Sequence, residues 1–137
     1  MRDVVNAFHE GGSTMYLVLL FALAAHGAAL AGAAAGGFSR AERGKLFGAM
    51  ALGLGLIALA IGWLGYRHGM SMGRAAVASV SPDLREQLLA QCELEAGRNL
   101  TFGLYALVIP GVLGAIMLVR AATLPPTRDP ALPPEKH

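Results

Sequence analysis

Charged residues, aromatic residues and cysteine are all scarce in this sequence. Charged side chains make up 15% of its 137 residues, aromatic side chains make up 7%, and Cys92 is the single cysteine. A lone cysteine excludes an internal disulfide and a paired-cysteine metal site. The formal charge is only +2 and the basic residues are scattered, which argues against nucleic acid as a partner. We expect neither a metal ion nor another cofactor.

Hydrophobic residues, in contrast, are abundant and make up 55% of the chain. They form three apolar stretches, at 15–35, 46–66 and 101–119. Each stretch is about 20 residues long, and a helix of that length matches the roughly 30 Å of a bilayer's hydrocarbon. The sequence therefore predicts an all-α integral membrane protein with three transmembrane helices, whose first partner is the lipid bilayer.

The first apolar stretch has a rival interpretation as a cleaved secretory leader. A leader begins with a net positive segment. Here Arg2 is offset by Asp3 and Glu10. We therefore expect the first stretch to remain in the protein as a span.

A fourth helix is predicted between the second and third spans, at about 82–98. Serine before a proline and an acid is typical of a helix start, and Ser81-Pro82-Asp83 has that pattern. An apolar residue then recurs every four positions, at Leu84, Leu88, Cys92 and Ala96. We expect this amphipathic connecting helix either to lie on the membrane surface or to run into the third span. The predicted organisation is an N-terminal amphipathic segment (1–13), a membrane domain (14–123) and a proline-rich tail (124–137).

Charge asymmetry predicts the orientation in the membrane. The loop at 38–45 carries Arg40, Arg43 and Lys45 against Glu42. Short loops rich in lysine and arginine stay in the cytoplasm. We therefore expect a multi-pass protein of the plasma (inner) membrane with an external N-terminus and a cytoplasmic C-terminus.

His26 is the one ionisable side chain deep in a predicted span. An unpaired charge at that depth is unfavourable, so we expect a neutral imidazole. It would serve either as a hydrogen-bonding group between helices or, if a neighbour stabilised its charged form, as a proton relay. The first role is the one we favour, because no acidic residue lies in any of the three spans.

Small residues and one proline mark the surfaces of the spans. Eighteen glycines occur in the chain, and small residues allow helices in lipid to approach closely. The predicted helix-packing positions are Gly27, Ala31, Gly48 and Gly55. Pro110-Gly111 lies in the middle of the third span, where proline removes a backbone hydrogen bond and favours a kink.

The run from Phe8 to Tyr16, FHEGGSTMY, resembles the start of the MotA/TolQ/ExbB proton-channel family. The family-like positions are Phe8, Gly11, Gly12, Met15 and Tyr16. The resemblance implies a homo-oligomer, a pentamer in that family, with a single-span partner in its central pore. The family's large cytoplasmic domain and pore-facing threonines have no counterpart in this sequence, which argues against proton conduction.

Two functions remain open at this point. The first is a non-catalytic membrane subunit that resembles the channel component of proton-driven complexes. The alternative is a small stand-alone transporter or channel that uses His26 and the Pro110 kink. An enzyme is not expected, because no pair of carboxylates, nucleophile with a base, or ligand cluster lies at membrane depth.

Overall fold

The computed structural model describes residues 12–125. They form three α-helices: α1 (Gly12–Ala34), α2 (Ala41–Ala76) and α3 (Pro82–Thr123). A short 3₁₀ helix, Val77–Ser79, connects α2 to α3. Each α-helix is long and apolar enough to cross a membrane. The predicted all-α membrane protein with three spans is confirmed.

The second and third helices are much longer than a bilayer requires. α2 has 36 residues and α3 has 42, or about 54 and 63 Å at helical rise, against roughly 30 Å of hydrocarbon. The predicted connecting helix runs into the third span without interruption, so the two are one helix. The antiparallel pair thus extends beyond the apolar spans, and residues 67–98 are called the hairpin tip.

The start of α3 agrees with the sequence pattern in position but not in its hydrogen bonds. Ser81 occupies the cap position, Pro82 opens the helix and Asp83 lies in the first turn. The Ser81 hydroxyl makes no capping hydrogen bond. Instead, the Ser81 carbonyl accepts from the backbone N–H groups of Leu84 and Arg85, each at 3.2 Å.

α2 and α3 pack through small residues. Every buried residue of α2 is glycine or alanine: Gly44, Gly48, Ala51, Gly55, Ala58, Gly62, Gly65 and Gly73. From Gly44 to Gly65 their spacing alternates between four and three residues, the average of 3.5 that keeps one face towards a partner helix. A Cβ added at Gly48 would lie 2.8 Å from the Gly114 carbonyl oxygen. The two backbones are therefore in direct contact.

α1 packs against both long helices through Met15, Val18, Ala25, Ala28 and Ala29, which are buried. The helix ends at a glycine with positive φ, Gly36 at +77°. The Gly37 N–H donates to the Gly32 carbonyl at 2.7 Å, and the Gly36 N–H donates to the Ala33 carbonyl at 3.2 Å. This pair of bonds is the Schellman motif, which explains why a glycine is needed there.

Large apolar side chains lie on the outside of the bundle and small ones lie inside. Leu20, Leu23, Leu30 and Ile109 are each at least 60% exposed. This distribution suits a chain whose outer surface is covered by lipid.

Trp63 lies near the end of the apolar part of α2, and the Arg67 guanidinium lies 5.1 Å from the centre of its ring. An aromatic residue stacked with arginine is typical of a membrane boundary.

Candidate functional site

His26 hydrogen-bonds within its own helix. Its Nδ1–H donates to the Ala22 carbonyl oxygen at 2.8 Å, and the side chain is partly buried. A carbonyl can only accept, so Nδ1 carries the proton and, in a neutral ring, Nε2 is an acceptor. We expected a hydrogen bond to an adjacent helix, and the bond to α1 itself differs from that expectation. The reason is the spacing of four residues, which brings an i−4 carbonyl within reach.

The predicted packing positions occupy two different environments. Gly48 and Gly55 are buried against α3, and a Cβ on Gly55 would lie 3.0 Å from Leu107 Cδ1. Gly27 and Ala31 are exposed, and a Cβ added at Gly27 would meet nothing within 4 Å. Gly27 and Ala31 therefore do not lie in the packed interfaces between α1 and the other described helices.

Pro110 and Gly111 lie inside α3, which continues as one helix through both residues. Both are buried. A Cβ on Gly111 would lie 3.0 Å from Leu107 Cδ1 and 3.6 Å from Leu52 Cδ1. Pro110 therefore serves as part of the packed surface between α3 and its neighbours.

The residues of the family-like N-terminal motif are only partly visible. Phe8 and Gly11 lie outside the described residues, as do most of the predicted N-terminal segment and most of the proline-rich tail. Gly12 is the first residue of α1, and Met15 is fully buried within the bundle. Tyr16 is 54% exposed.

A cleft with polar walls lies where the first turn of α1 meets the base of the hairpin tip. Its volume is about 370 Å³. We call it the polar cleft, and it is lined by Ser13, Thr14, Gly65, His68, Gly69, Met72, Gly73, Cys92, Glu95, Ala96 and Asn99. Residues from all three helices meet there, and six of them carry polar side chains: Ser13, Thr14, His68, Cys92, Glu95 and Asn99.

Asn99 is the buried polar residue of this cleft, with 5% of its surface exposed. Within residues 12–125, its side-chain oxygen Oδ1 has no hydrogen-bond partner. An unpaired amide oxygen away from water costs about 1–3 kcal/mol. Such a group is uncommon in a folded protein and requires an explanation.

Glycines of α2 create the space in which Asn99 and the start of α1 meet. A Cβ on Gly62 would lie 2.5 Å from the backbone carbonyl oxygen of Asn99. A Cβ on Gly65 would lie 2.6 Å from Thr14 Cγ2. Further along, a Cβ on Gly73 would lie 2.9 Å from Cys92 Sγ. Larger residues would push α3 and α1 away from α2. The polar cleft therefore depends on the same glycine spacing that joins the two long helices.

The charge of the cleft lining comes from one residue. Glu95 is partly buried, and its Oε1 accepts a hydrogen bond from Gln91 Nε2 at 3.1 Å. No lysine or arginine is among the lining residues. His68 and Cys92 also line the cleft, but in the described part of the chain no group of three histidine, cysteine or acidic residues is arranged to hold a metal ion. With His68 neutral, Glu95 therefore gives the lining a formal charge of −1, and the hydroxyl and amide oxygens around it are able to accept hydrogen bonds.

Asn99 and Glu95 were not among the predicted site residues, because the sequence left open whether the connecting helix runs into the third span. Joining them reveals the signal. The apolar positions Cys92 and Ala96 continue at helical spacing to Asn99, Gly103 and Ala106, so Asn99 falls on the buried face. A polar residue on an otherwise small and apolar stripe would have been a candidate for function.

Comparisons with known proteins give this chain no relative. No protein-family model matches it, and no curated protein or solved structure is significantly similar to it.

Proposed function

We propose that this chain is a non-catalytic subunit of a membrane complex, with a layout comparable to that of the channel components of MotA/TolQ/ExbB complexes. It forms a homo-oligomer in the membrane, and a single-span protein is its further partner. The N-terminal resemblance and the three-span layout suggest this role.

One observation carries the proposal: α1 turns small residues outwards. Gly27 and Ala31 are exposed, and so are the leucines on either side of Gly27, Leu23 and Leu30. A glycine between leucines leaves a notch on the helix surface, and such notches allow another helix to approach closely in lipid. The chain's own helices leave this notch empty. A second chain would fill it.

Mass measurement of the assembly in mild detergent tests the proposal. Wild-type protein should be a discrete oligomer. Gly27→Leu should shift it towards monomer without unfolding it, because Gly27 is exposed and a Cβ there meets nothing within 4 Å in the described part of the chain. Gly53→Leu is the matched control, since Gly53 also lies in a span with nothing within 4 Å. Wild-type protein that is monomeric both in detergent and after crosslinking in membranes would refute the proposal. Ion flux through liposomes containing only this chain would favour a stand-alone channel instead.

We further propose that the N-terminus is external, the C-terminus is cytoplasmic and the membrane is the plasma (inner) membrane. Arg40, Arg43 and Lys45 lie around the α1–α2 loop, and Arg120 lies in the last turn of α3 at the same end of the bundle. The Arg43 guanidinium donates to the Ala35 carbonyl at 2.7 Å, which fixes one of these charges at the end of α1. Glu42 alone opposes these basic residues, whereas four acidic residues offset the four arginines of the hairpin tip. The excess of positive charge at the loop end favours its cytoplasmic location.

Two exposed serines at opposite ends test this orientation. In a Cys92→Ala background, Ser79→Cys in the hairpin tip should react with a membrane-impermeant thiol reagent in intact cells. Ser39→Cys in the α1–α2 loop should react only after lysis. Both serines are exposed, so accessibility on the protein itself does not bias the result. The reverse pattern would overturn the orientation.

A further inference from the structure

We propose that the polar cleft binds a small ligand with a protonated primary amine, which donates to Asn99 Oδ1 and pairs with the Glu95 carboxylate. The starting observation is the amide oxygen of Asn99, which is buried and has no donor in the described part of the chain. The same residue lines an open cleft. A ligand that enters the cleft and donates a hydrogen bond removes the cost of that unpaired oxygen.

The remaining lining groups favour an ammonium over other donors. An ammonium has three donors and no acceptor. Glu95 contributes a negative charge to the lining, and Ser13 and Thr14 contribute hydroxyl oxygens that are able to accept. No lysine or arginine side chain opposes a cation within the lining. Hydrogen bonds between an ionised donor and a carboxylate are about twice as strong as neutral ones.

The rest of the lining sets the size and polarity of the ligand. The volume of about 370 Å³ lies near the lower end of the range for small-molecule sites. Met72 and Ala96 contribute apolar surface beside the polar groups. A short alkyl chain attached to the ammonium would pack against these side chains. The cleft therefore fits a small alkylamine better than a bulky or fully polar cation.

Calorimetry on the full chain in detergent, with simple probes of four or five heavy atoms, tests the proposal. Propylammonium should bind saturably. Propanol, propionate and tetramethylammonium should bind at least about tenfold more weakly, because each lacks either the charge or the N–H donors. Propanol that binds as well as propylammonium would overturn the cationic assignment. A failure of propylammonium to saturate would overturn the site, with a water molecule on Asn99 as the remaining explanation.

Two variants locate the ligand, and a third serves as control. Glu95→Gln and Asn99→Leu should each weaken propylammonium binding by roughly tenfold. Glu93→Gln removes the same charge from the same helix, but Glu93 is exposed and does not line the cleft. It should bind like wild type. Equal loss in Glu95→Gln and Glu93→Gln would reduce the effect to general surface charge and refute the site. Glu95 is only partly buried, so its variant remains informative even if Asn99→Leu does not fold.

Discussion

Gly27 of α1 and Gly48 of α2 belong to spans of similar composition, yet they face opposite surroundings. Gly48 and Gly62 touch backbone atoms of α3, whereas Gly27 faces away from the chain. In lipid, small residues favour close helix approach wherever a partner helix is present. The difference teaches that a glycine in a span indicates a packing surface without indicating whose surface it meets. The surface around Gly48 is used within the chain, and the surface around Gly27 is available to another chain.

The strongest way to break this comparison is to enlarge a glycine of α2. Gly48→Leu would drive a Cβ to 2.8 Å from the Gly114 carbonyl oxygen and to 3.0 Å from Leu118 Cγ. Because backbone atoms cannot move aside cheaply, we expect a loss of at least about 3 kcal/mol in the free energy of unfolding. Fluorescence of Trp63, the single tryptophan, reports unfolding in detergent.

Gly53→Leu is the control for Gly48→Leu, because it makes the same chemical change at an open position of the same helix. It should change the free energy of unfolding by less than about 1 kcal/mol. Equal destabilisation by both substitutions would show that α2 and α3 do not depend on close backbone contact.

A smaller effect is expected where α2 meets the first turn of α1. In Gly65→Ala the new Cβ would lie 2.6 Å from Thr14 Cγ2 and 3.3 Å from Asn99 Cγ. Because these are side-chain atoms, the first turn of α1 can move aside. We therefore expect the free energy of unfolding to fall by about 1–2 kcal/mol. The same unfolding measurement checks the value.

Gly97→Ala provides the matched change in the hairpin tip. A Cβ at Gly97 meets nothing within 4 Å, so the higher helix propensity of alanine should stabilise the protein by about 0.5–1 kcal/mol. If Gly65→Ala were also stabilising, the contact between α1 and α2 at the polar cleft would be looser than the distances indicate.

The sequence predicted the fold class and the three spans because the length of an apolar run is a direct physical requirement of the bilayer. The sequence left two possibilities for residues 82–98, a helix on the membrane surface or one that runs into the third span, and the structure shows the second, with α3 continuous from Pro82 to Thr123. Because the change from polar to apolar residues near Leu100 resembles a boundary, the sequence alone did not decide between them. It also could not separate the environment of Gly27 from that of Gly48. The difference between the two environments depends on which faces of the three helices meet. The composition of a single helix does not determine these tertiary contacts.

The candidate site was predictable only in part, for a related reason. Nothing in the spacing of His68 and Cys92 along the chain indicates that they share a cleft. Glu95 joins them only because α2 and α3 are antiparallel and in register at Gly73 and Cys92. Asn99 was hidden at the edge of an apolar stretch. Asn99 is buried because α3 continues through this position and turns it towards α2.

The smallest effect is expected at His26, on the boundary between the packed and the outward faces of α1. Its hydrogen bond is to the Ala22 carbonyl of the same helix, which already accepts a backbone bond as part of the helix. Losing it should cost less than about 1 kcal/mol. His26→Gln should therefore unfold almost like wild type in the Trp63 fluorescence measurement. An amide can also donate a hydrogen bond but binds no proton near neutral pH.

The same variant decides between a structural and a proton-relaying role for His26. In a strain that lacks the chromosomal copy, His26→Gln and His26→Asn should restore function to the wild-type level, because a structural side chain needs only to donate a hydrogen bond. His68→Gln, which changes a histidine outside the apolar spans, is the control for a general effect of losing an imidazole. Loss of function in His26→Gln protein that is correctly folded and assembled would contradict the structural role. It would also favour proton coupling over a passive subunit, because an ionisable side chain inside a span is a candidate for function.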